Sequence, residues 1–372
     1  MSAAPRRIHF AGGGTGGHLF PALALAQEFR RRFPSAEIVF WGTKRGIEYR
    51  LGEKLGFPLR LISVRGVRRG AVLANLAVPF RLAESLIRVL WEFLSRRPDL
   101  VVGTGGYVSG PVGFAAVLLR IPLVLQEQNS FPGATTRLLA RWAERTYLTY
   151  GSSRRYFPRK VQSKLRLLGN PVRSMPALGD REEGARYFGL DPRKRTLFVF
   201  GGSQGALAVN RLVAEMVEEL VASAGIQVLW ATGPAHHARL ARRLAGLSGV
   251  RLLPFIERMD LAYAASDLVL SRAGATTLAE LQFAGKPAVL IPLPTAAAGH
   301  QEFNARELEA AGAAICLVQK GLTPQKVRET VEALLRDDRR LQQMSQKMKG
   351  LARPHAVTDI VSDICRALFA DC

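Results

Sequence analysis

The chain has 372 residues, 48% hydrophobic and 22% charged, which excludes a disordered protein and suits two packed domains of about 150–200 residues each. Its formal charge of +22 is unevenly spread: residues 1–175 hold 28 Lys and Arg against 9 Asp and Glu, whereas residues 176–372 hold 24 against 21. General solubility would account for the charge but not for its asymmetry, which calls for an anionic partner of the first half: nucleic acid, an anionic bilayer or a polyphosphate substrate.

In chain order, the first half alternates short apolar runs with helical stretches. The pattern predicts strands over Ile8–Ala11, Glu37–Gly42, Leu59–Ser63, Leu100–Thr104, Leu123–Gln126 and Thr146–Thr149. Between them it predicts helices over Pro21–Arg32, Ile47–Leu55, Pro79–Ser95, Pro111–Leu119 and Ala134–Arg141. Such alternation means a parallel, doubly wound α/β sheet. Gly169-Asn170-Pro171 breaks the pattern and opens a turn-rich stretch to about Asp180, the expected interdomain linker. The alternation restarts at Leu197, with strands expected over Gln227–Thr232, Arg251–Pro254, Leu268–Ser271, Ala288–Ile291 and Ala314–Leu317, and an amphipathic helix over Val357–Ala370. The uncharged run Leu100–Leu119 is long enough to span a bilayer, but five glycines and Pro111 make it strand, loop and helix instead. Cys316, Cys365 and Cys372 have no metal-ligand spacing and predict free thiols in a reducing compartment. Met1–Arg7 leads straight into the first strand with no apolar leader, which predicts a protein that is not exported.

The chemistry-bearing signals lie where strands end. Gly12-Gly13-Gly14-Thr15-Gly16-Gly17-His18 and Gly201-Gly202-Ser203-Gln204-Gly205-Ala206 each follow an apolar strand and enter a helix. Turns of this kind let backbone N–H groups approach an anion or a sugar, with the helix N-terminus adding positive potential. The first turn formally matches a dinucleotide fingerprint, but the second strand ends Phe40-Trp41-Gly42-Thr43-Lys44 without the acid that would hold a ribose, which speaks against a dehydrogenase. His18, at the positive end of a helix, is placed either to take a proton from a hydroxyl nucleophile or simply to brace the glycine turn. Gly105-Gly106-Tyr107-Val108-Ser109-Gly110-Pro111 and Glu127-Gln128-Asn129 also fall at strand ends, on the same edge. In the second half, Ser271–Glu280 suits a phosphate at its backbone and at Thr276 and Thr277, with Glu280 free for ribose hydroxyls; a helix cap followed by an acid is the plainer reading. Gly299–Asn304 puts several hydrogen-bonding side chains on one helical turn, apt for a sugar. There is no Asp-x-Asp after a strand, no His-Glu-x-x-His, no CxxC and no P-loop, so neither a metal nor ATP chemistry is demanded.

Taken in order, Gly12–Pro21, Gly105–Pro111, Glu127–Asn129, Gly169–Arg173, Gly201–Ala206, Ser271–Glu280 and His300–Asn304 resemble MurG-type transferases over nearly the whole chain. These are the bacterial UDP-N-acetylglucosamine transferases that make the second lipid-linked peptidoglycan precursor. The resemblance implies a GT-B fold, two Rossmann-like domains facing each other across a cleft. The first, residues 1–168, takes the lipid acceptor and receives the final helix, 354–372; residues 169–175 link it to a UDP-sugar domain, 176–353. It implies that GlcNAc moves from UDP-GlcNAc to the 4-hydroxyl of MurNAc in undecaprenyl-pyrophosphoryl-MurNAc-pentapeptide, by direct displacement with inversion and without a cofactor or an obligate metal.

Carried over by position, Thr15, Gly16, Gly17, Tyr107 and Asn129 would face the acceptor and the transferred sugar, and Arg173 and Ser203 the donor diphosphate. Ile256 would present its backbone to the uracil, Ala275, Thr276 and Thr277 would hold phosphates, Glu280 the ribose, and Gln301 with Asn304 the GlcNAc hydroxyls. His18 is the expected base, with Glu127 its rival; Gln126 stands where members often carry His. The implied setting is the cytoplasmic face of the bacterial inner membrane, held peripherally through Arg68–Arg97, with Ala71–Val78 the favoured contact, in the service of cell-wall synthesis, cell shape and division. The alternatives are another GT-B sugar-nucleotide enzyme (a glycolipid glycosyltransferase or a UDP-GlcNAc epimerase), a membrane scaffold without catalysis, or a nucleic-acid binder. The last lacks any aromatic–Arg interleaving or binding motif.

Overall fold

The computed structural model describes residues 4–66, 77–172, 178–202 and 204–369, less the side chains of residues 223 and 224. Contacts divide the chain into two compact units, Met1–Arg173 with Pro354–Cys372, and Ser174–Arg353. Each is built on one all-parallel sheet. In the first, strands β1 (Arg7–Gly12), β2 (Glu37–Gly42), β3 (Leu59–Leu61), β4 (Leu100–Gly105), β5 (Leu123–Glu127), β6 (Arg145–Leu148) and β7 (Leu165–Leu167) lie in the order β3-β2-β1-β4-β5-β6-β7. In the second, β8 (Thr196–Phe200), β9 (Gln227–Ala231), β10 (Val250–Leu253), β11 (Leu268–Ser271), β12 (Ala288–Leu290) and β13 (Ala314–Cys316) lie in the order β10-β9-β8-β11-β12-β13. Both are doubly wound: the chain works outward from a central strand, then returns to its other side. That leaves a crevice at the carboxyl ends of β1 and β4, and another at those of β8 and β11.

Helices cover both faces of each sheet, so the strands are buried almost throughout. Along β1, Ile8 and Phe10 point into one core, with Phe29, Phe40 and Val102, while Ala11 points into the other, with Trp41, Val89 and Phe93. The final helix, Ala356–Leu368, belongs to the first of these cores: Ile360, Val361, Ile364 and Cys365 bury against Phe10 and Phe29. Its Asp363 accepts from the Tyr147 hydroxyl at 2.9 Å, and burial, reinforced by that carboxylate, pushes the phenol well above its ordinary range.

Three features differ from the sequence expectation. The first helix runs Gly16–Arg32 and contains Pro21, so it begins five residues before the proline. Glycine and histidine after Thr15 enter the helix directly, and Pro21 costs only one internal hydrogen bond. Strand β7 was not expected at all, being three residues of Leu-Arg-Leu that read as strand only beside β6. Cys316 is a buried free thiol, but Cys365 is disulfide-bonded, against the expectation that no cysteine pairs.

Candidate donor and acceptor sites

In the first unit the glycine turn after β1 sits at the switch point. Gly14 adopts φ +89°, which disfavours any side chain. Beneath it lies Glu48, fully buried, which the sequence expectation missed. The Gly14 N–H donates to one Glu48 oxygen and the Thr43 N–H to the other, each at 2.8 Å. A buried carboxylate held by two amides thus clamps the β1 turn to the turn after β2. The only signal was its place in the first turn of the short helix Ile47–Leu51, just after Gly46; the sequence pattern of a dinucleotide fold asks for an acid ending β2.

His18, third in the helix Gly16–Arg32, is half-buried beside the second glycine loop. Its Nδ1 lies 3.0 Å from the Thr104 carbonyl and 3.0 Å from Gln128 Oε1. Both are acceptors, so Nδ1 carries a proton, and it is Nε2 that holds the lone pair in the neutral ring. Gln128 is oriented in turn by donating to the Thr104 carbonyl at 2.7 Å and to the Gln126 side-chain oxygen. The Thr104 hydroxyl closes the set by donating to the His18 carbonyl at 2.8 Å. Ser109 ties the two loops together, its one hydroxyl proton shared between the carbonyls of Ala11 and Gly105. Glu127 is buried and committed: one oxygen accepts from the Asn129 amide and side chain at 3.1 and 3.2 Å, the other from the Gly133 N–H at 3.0 Å. Its geometry shapes the loop that presents Asn129. Thr15 and Tyr107 are exposed, and Gly16 and Gly17 half-buried, along the same edge.

In the second unit, Gly205 packs so tightly that a Cβ would stand 2.2 Å from the Thr232 carbonyl. After β11, Gly274 caps the helix Ala275–Ala284 without a side-chain bond, leaving its first amides open. The Thr276 hydroxyl is buried and has no partner. Glu280, one turn on, accepts a single bond from the Tyr263 hydroxyl at 3.0 Å, and burial pushes its carboxyl up to about 7. Arg272 is buried at the start of the loop, donating to the Ile291 and Pro292 carbonyls at 3.0 Å and to Gln319 at 2.8 Å, while its Nε has no partner. Removal from water draws its guanidinium below the usual arginine range. The Leu293 N–H donates to Gln301 Oε1 at 3.0 Å, and buried Asn304 donates to the Ala273 carbonyl at 3.5 Å, so both side chains brace the β11 and β12 loops. Ile256 is buried beside half-exposed Phe255. Arg173, Ser203 and Ala71–Leu76 lie outside the described residues. Among the described residues no cluster of three His, Cys, Asp or Glu is placed to hold a metal ion.

Two parallel doubly wound sheets, each with a glycine turn at its switch point, and a second unit equipped with an open helix terminus and a desolvated acid, are the architecture of the GT-B class of sugar-nucleotide enzymes. The glycosyltransferase family 28 N-terminal domain matches residues 8–148 and the family 28 C-terminal domain residues 196–360. The chain is 42% identical to a UDP-N-acetylglucosamine–N-acetylmuramyl-(pentapeptide) pyrophosphoryl-undecaprenol N-acetylglucosamine transferase of Chlorobaculum tepidum, over 96% of this chain and 98% of that protein. To the enzyme of the same description from Chlorobium luteolum it is 43% identical, over 94% and 95%. The crystal structure of Acinetobacter baumannii MurG superposes with a TM-score of 0.79 at 30% identity, covering 97% of this chain and all of that one. A kitacinnamycin glycosyltransferase shares the fold at 16% identity, with a TM-score of 0.71. The chain belongs to glycosyltransferase family 28 and, within it, to these N-acetylglucosamine transferases.

Proposed function

We propose that the chain moves N-acetylglucosamine from UDP-GlcNAc to the 4-hydroxyl of MurNAc in undecaprenyl-pyrophosphoryl-MurNAc-pentapeptide, with His18 as the base. The observation that carries the assignment of His18 is the pair of acceptors that meet its Nδ1. With Nδ1–H spent on Thr104 and Gln128, Nε2 is the ring atom left to accept a proton. As the acceptor oxygen bonds the anomeric carbon, its proton passes to Nε2 and the bond to the β-phosphate oxygen breaks. UDP leaves with the electron pair, and the anomeric centre inverts. Glu127, with both oxygens engaged by its own loop, positions Asn129. In the second unit the Thr276 hydroxyl and the open helix terminus stabilise the departing diphosphate, and Glu280 takes the ribose hydroxyls. Arg173 and Ser203 keep their place in this reading as diphosphate contacts by family resemblance.

Membrane contact belongs to the same proposal. The helix Val78–Ser95 buries Ser85, Val89 and Phe93 but leaves Phe80, Ile87, Trp91 and Leu94 at least two-thirds exposed, with Arg81 and Arg88 beside them. An apolar stripe flanked by cations suits the surface of an anionic bilayer, and the proposed setting is the inner face of the bacterial plasma membrane. No described helix is long and apolar enough to cross a membrane.

The test is transfer of radiolabel from UDP-GlcNAc to a short-chain lipid-pyrophosphoryl-MurNAc-peptide in the presence of EDTA. Labelled lipid is the expected result. Label that stays on UDP, with and without added Mg²⁺, overturns the reading, and turnover of UDP-GlcNAc without any acceptor would favour an epimerase.

A further inference from the structure

The second unit holds a cavity of about 550 Å³ at the amino ends of β8, β11 and β12, the sheet edge opposite its glycine turn and the open helix terminus at Gly274. Four cations line it, Arg181, Arg195, Lys286 and Lys349, against two acids, Asp267 and Asp338, a surplus of two positive charges. Both acids are committed to the arginines. Asp267 accepts from both terminal nitrogens of Arg181 and one of Arg195 at 2.9 Å, and from the Thr196 N–H at 2.8 Å. Asp338 pairs with the other Arg195 nitrogen. Lys286 donates to the Ser266 carbonyl at 2.7 Å, and its two further N–H groups have no partner among the described residues. Lys349 pairs with neither acid, and its stem lies over Gly285, where a Cβ would stand 2.4 Å from it. Loss of water, against the pull of Asp267 and with the push of Arg181 and Lys349, draws the Lys286 amine down to about 8. A surplus cation held in that position is a standing cost, which a bound anion relieves.

We propose that this cavity binds a small organic phosphate, its dianion seated between Lys286 and Lys349. Two ammonium groups without a carboxylate match two negative charges on one tetrahedral group, and charge-assisted bonds to the phosphate oxygens use the spare Lys286 donors. Inorganic phosphate fills only part of the space. Leu178, Pro287 and Leu341 give the remainder an apolar wall, which suits the carbon body of a phosphomonoester. The cavity shares no residue with the donor and acceptor loops, so this inference stands apart from the transfer reading.

Calorimetry on the full chain, with and without saturating UDP, tests this with ribose 5-phosphate, inorganic phosphate and succinate as separate titrants. Ribose 5-phosphate should bind more tightly than either of the others, and UDP should not displace it. Lys286→Met with Lys349→Met keeps the apolar stems and should weaken it about tenfold or more. Should that double variant lose its circular dichroism, the exposed single change Lys349→Ala carries the comparison, with an expected loss of about threefold. From about pH 7.5 upward the phosphate stays a dianion, so a fall in affinity as pH rises through about 8 reports the loss of the Lys286 proton. Lys286→Arg should bind and remove that fall. The proposal is overturned if the wild type ignores ribose 5-phosphate, which leaves the lysines as complements to the carboxyl end of the helix Ala275–Ala284. It is overturned equally if the lysine variants bind as well as wild type, or if UDP displaces the titrant and so returns it to the donor loops. Inorganic phosphate or succinate binding as tightly as ribose 5-phosphate would sink the organic phosphate as the ligand class.

Discussion

In the first unit the carboxylates around the site are consumed by backbone amides, Glu48 by Gly14 and Thr43, Glu127 by Asn129 and Gly133. In the second, Glu280 meets one phenol, the Thr276 hydroxyl meets nothing and the Arg272 Nε is unpaired. The first pair is satisfied within its own fold; the second set keeps polar capacity to spare. On the proposed reading, a base must be held at a fixed tautomer and angle through every turnover, so its supports are internal. A nucleotide that binds and leaves can itself satisfy the groups that hold it, at a standing cost to the empty protein.

His18→Ala should give the largest effect, a fall in kcat of about 10²–10⁴-fold with UDP affinity retained. Titrating UDP into the variant checks the second half, and a joint loss would recast His18 as a brace of the glycine turn. Next comes Glu48→Ala, which strips two charge-assisted bonds from buried amides. Chemical denaturation should show a loss of about 2–4 kcal/mol. A change within experimental error would mean the clamp is dispensable.

Glu280→Gln sharpens the contrast because stability and binding should move in opposite directions. Burial lifts the folded carboxyl to about 7, so the folded chain holds that proton more tightly than the unfolded chain does. Stability from this group is therefore present at low pH and lost as pH rises through about 7. At pH 8 the amide variant should melt higher than wild type yet bind UDP more weakly. A carboxylate is the better acceptor for two ribose hydroxyls, so wild-type UDP affinity should decline as pH falls below about 7 more steeply than that of the Gln variant, whose remaining slope belongs to the terminal phosphate of UDP. Equal pH slopes in the two proteins would place the ribose elsewhere. The smallest effect belongs to Thr276→Val: about fivefold in UDP affinity, with no loss of Tm in the empty protein.

Much of the architecture was legible in residue order. Apolar runs at Ile8–Ala11, Leu100–Thr104, Leu197–Phe200 and Leu268–Ser271 became the central strands, because strands buried on both faces need uninterrupted hydrophobicity. The glycine loops were equally plain. Glu48 escaped notice because an acid among Lys44, Arg45 and Arg50 reads as a solvated surface charge, and only the folding of β2 beside β1 puts it under Gly14. The basic amphipathic stretch was expected to meet the membrane through Ala71–Val78, which lies largely outside the described residues. Among the described residues an exposed apolar stripe lies on the following helix, where periodicity alone could not say which side faces the core.

The sequence by itself determined two parallel α/β sheets, the glycine loops at their strand ends and the family, since each depends on local hydrophobic period and on glycines that no other residue replaces. Tertiary structure alone decided which polar groups are spent and which are left to a ligand. Those partners come from far along the chain: Thr104 and Gln128 for His18, Gly14 for Glu48, Tyr263 for Glu280. A carboxylate's role follows from the amides and hydroxyls that reach it, and strand order, more than neighbouring residues, sets which ones do.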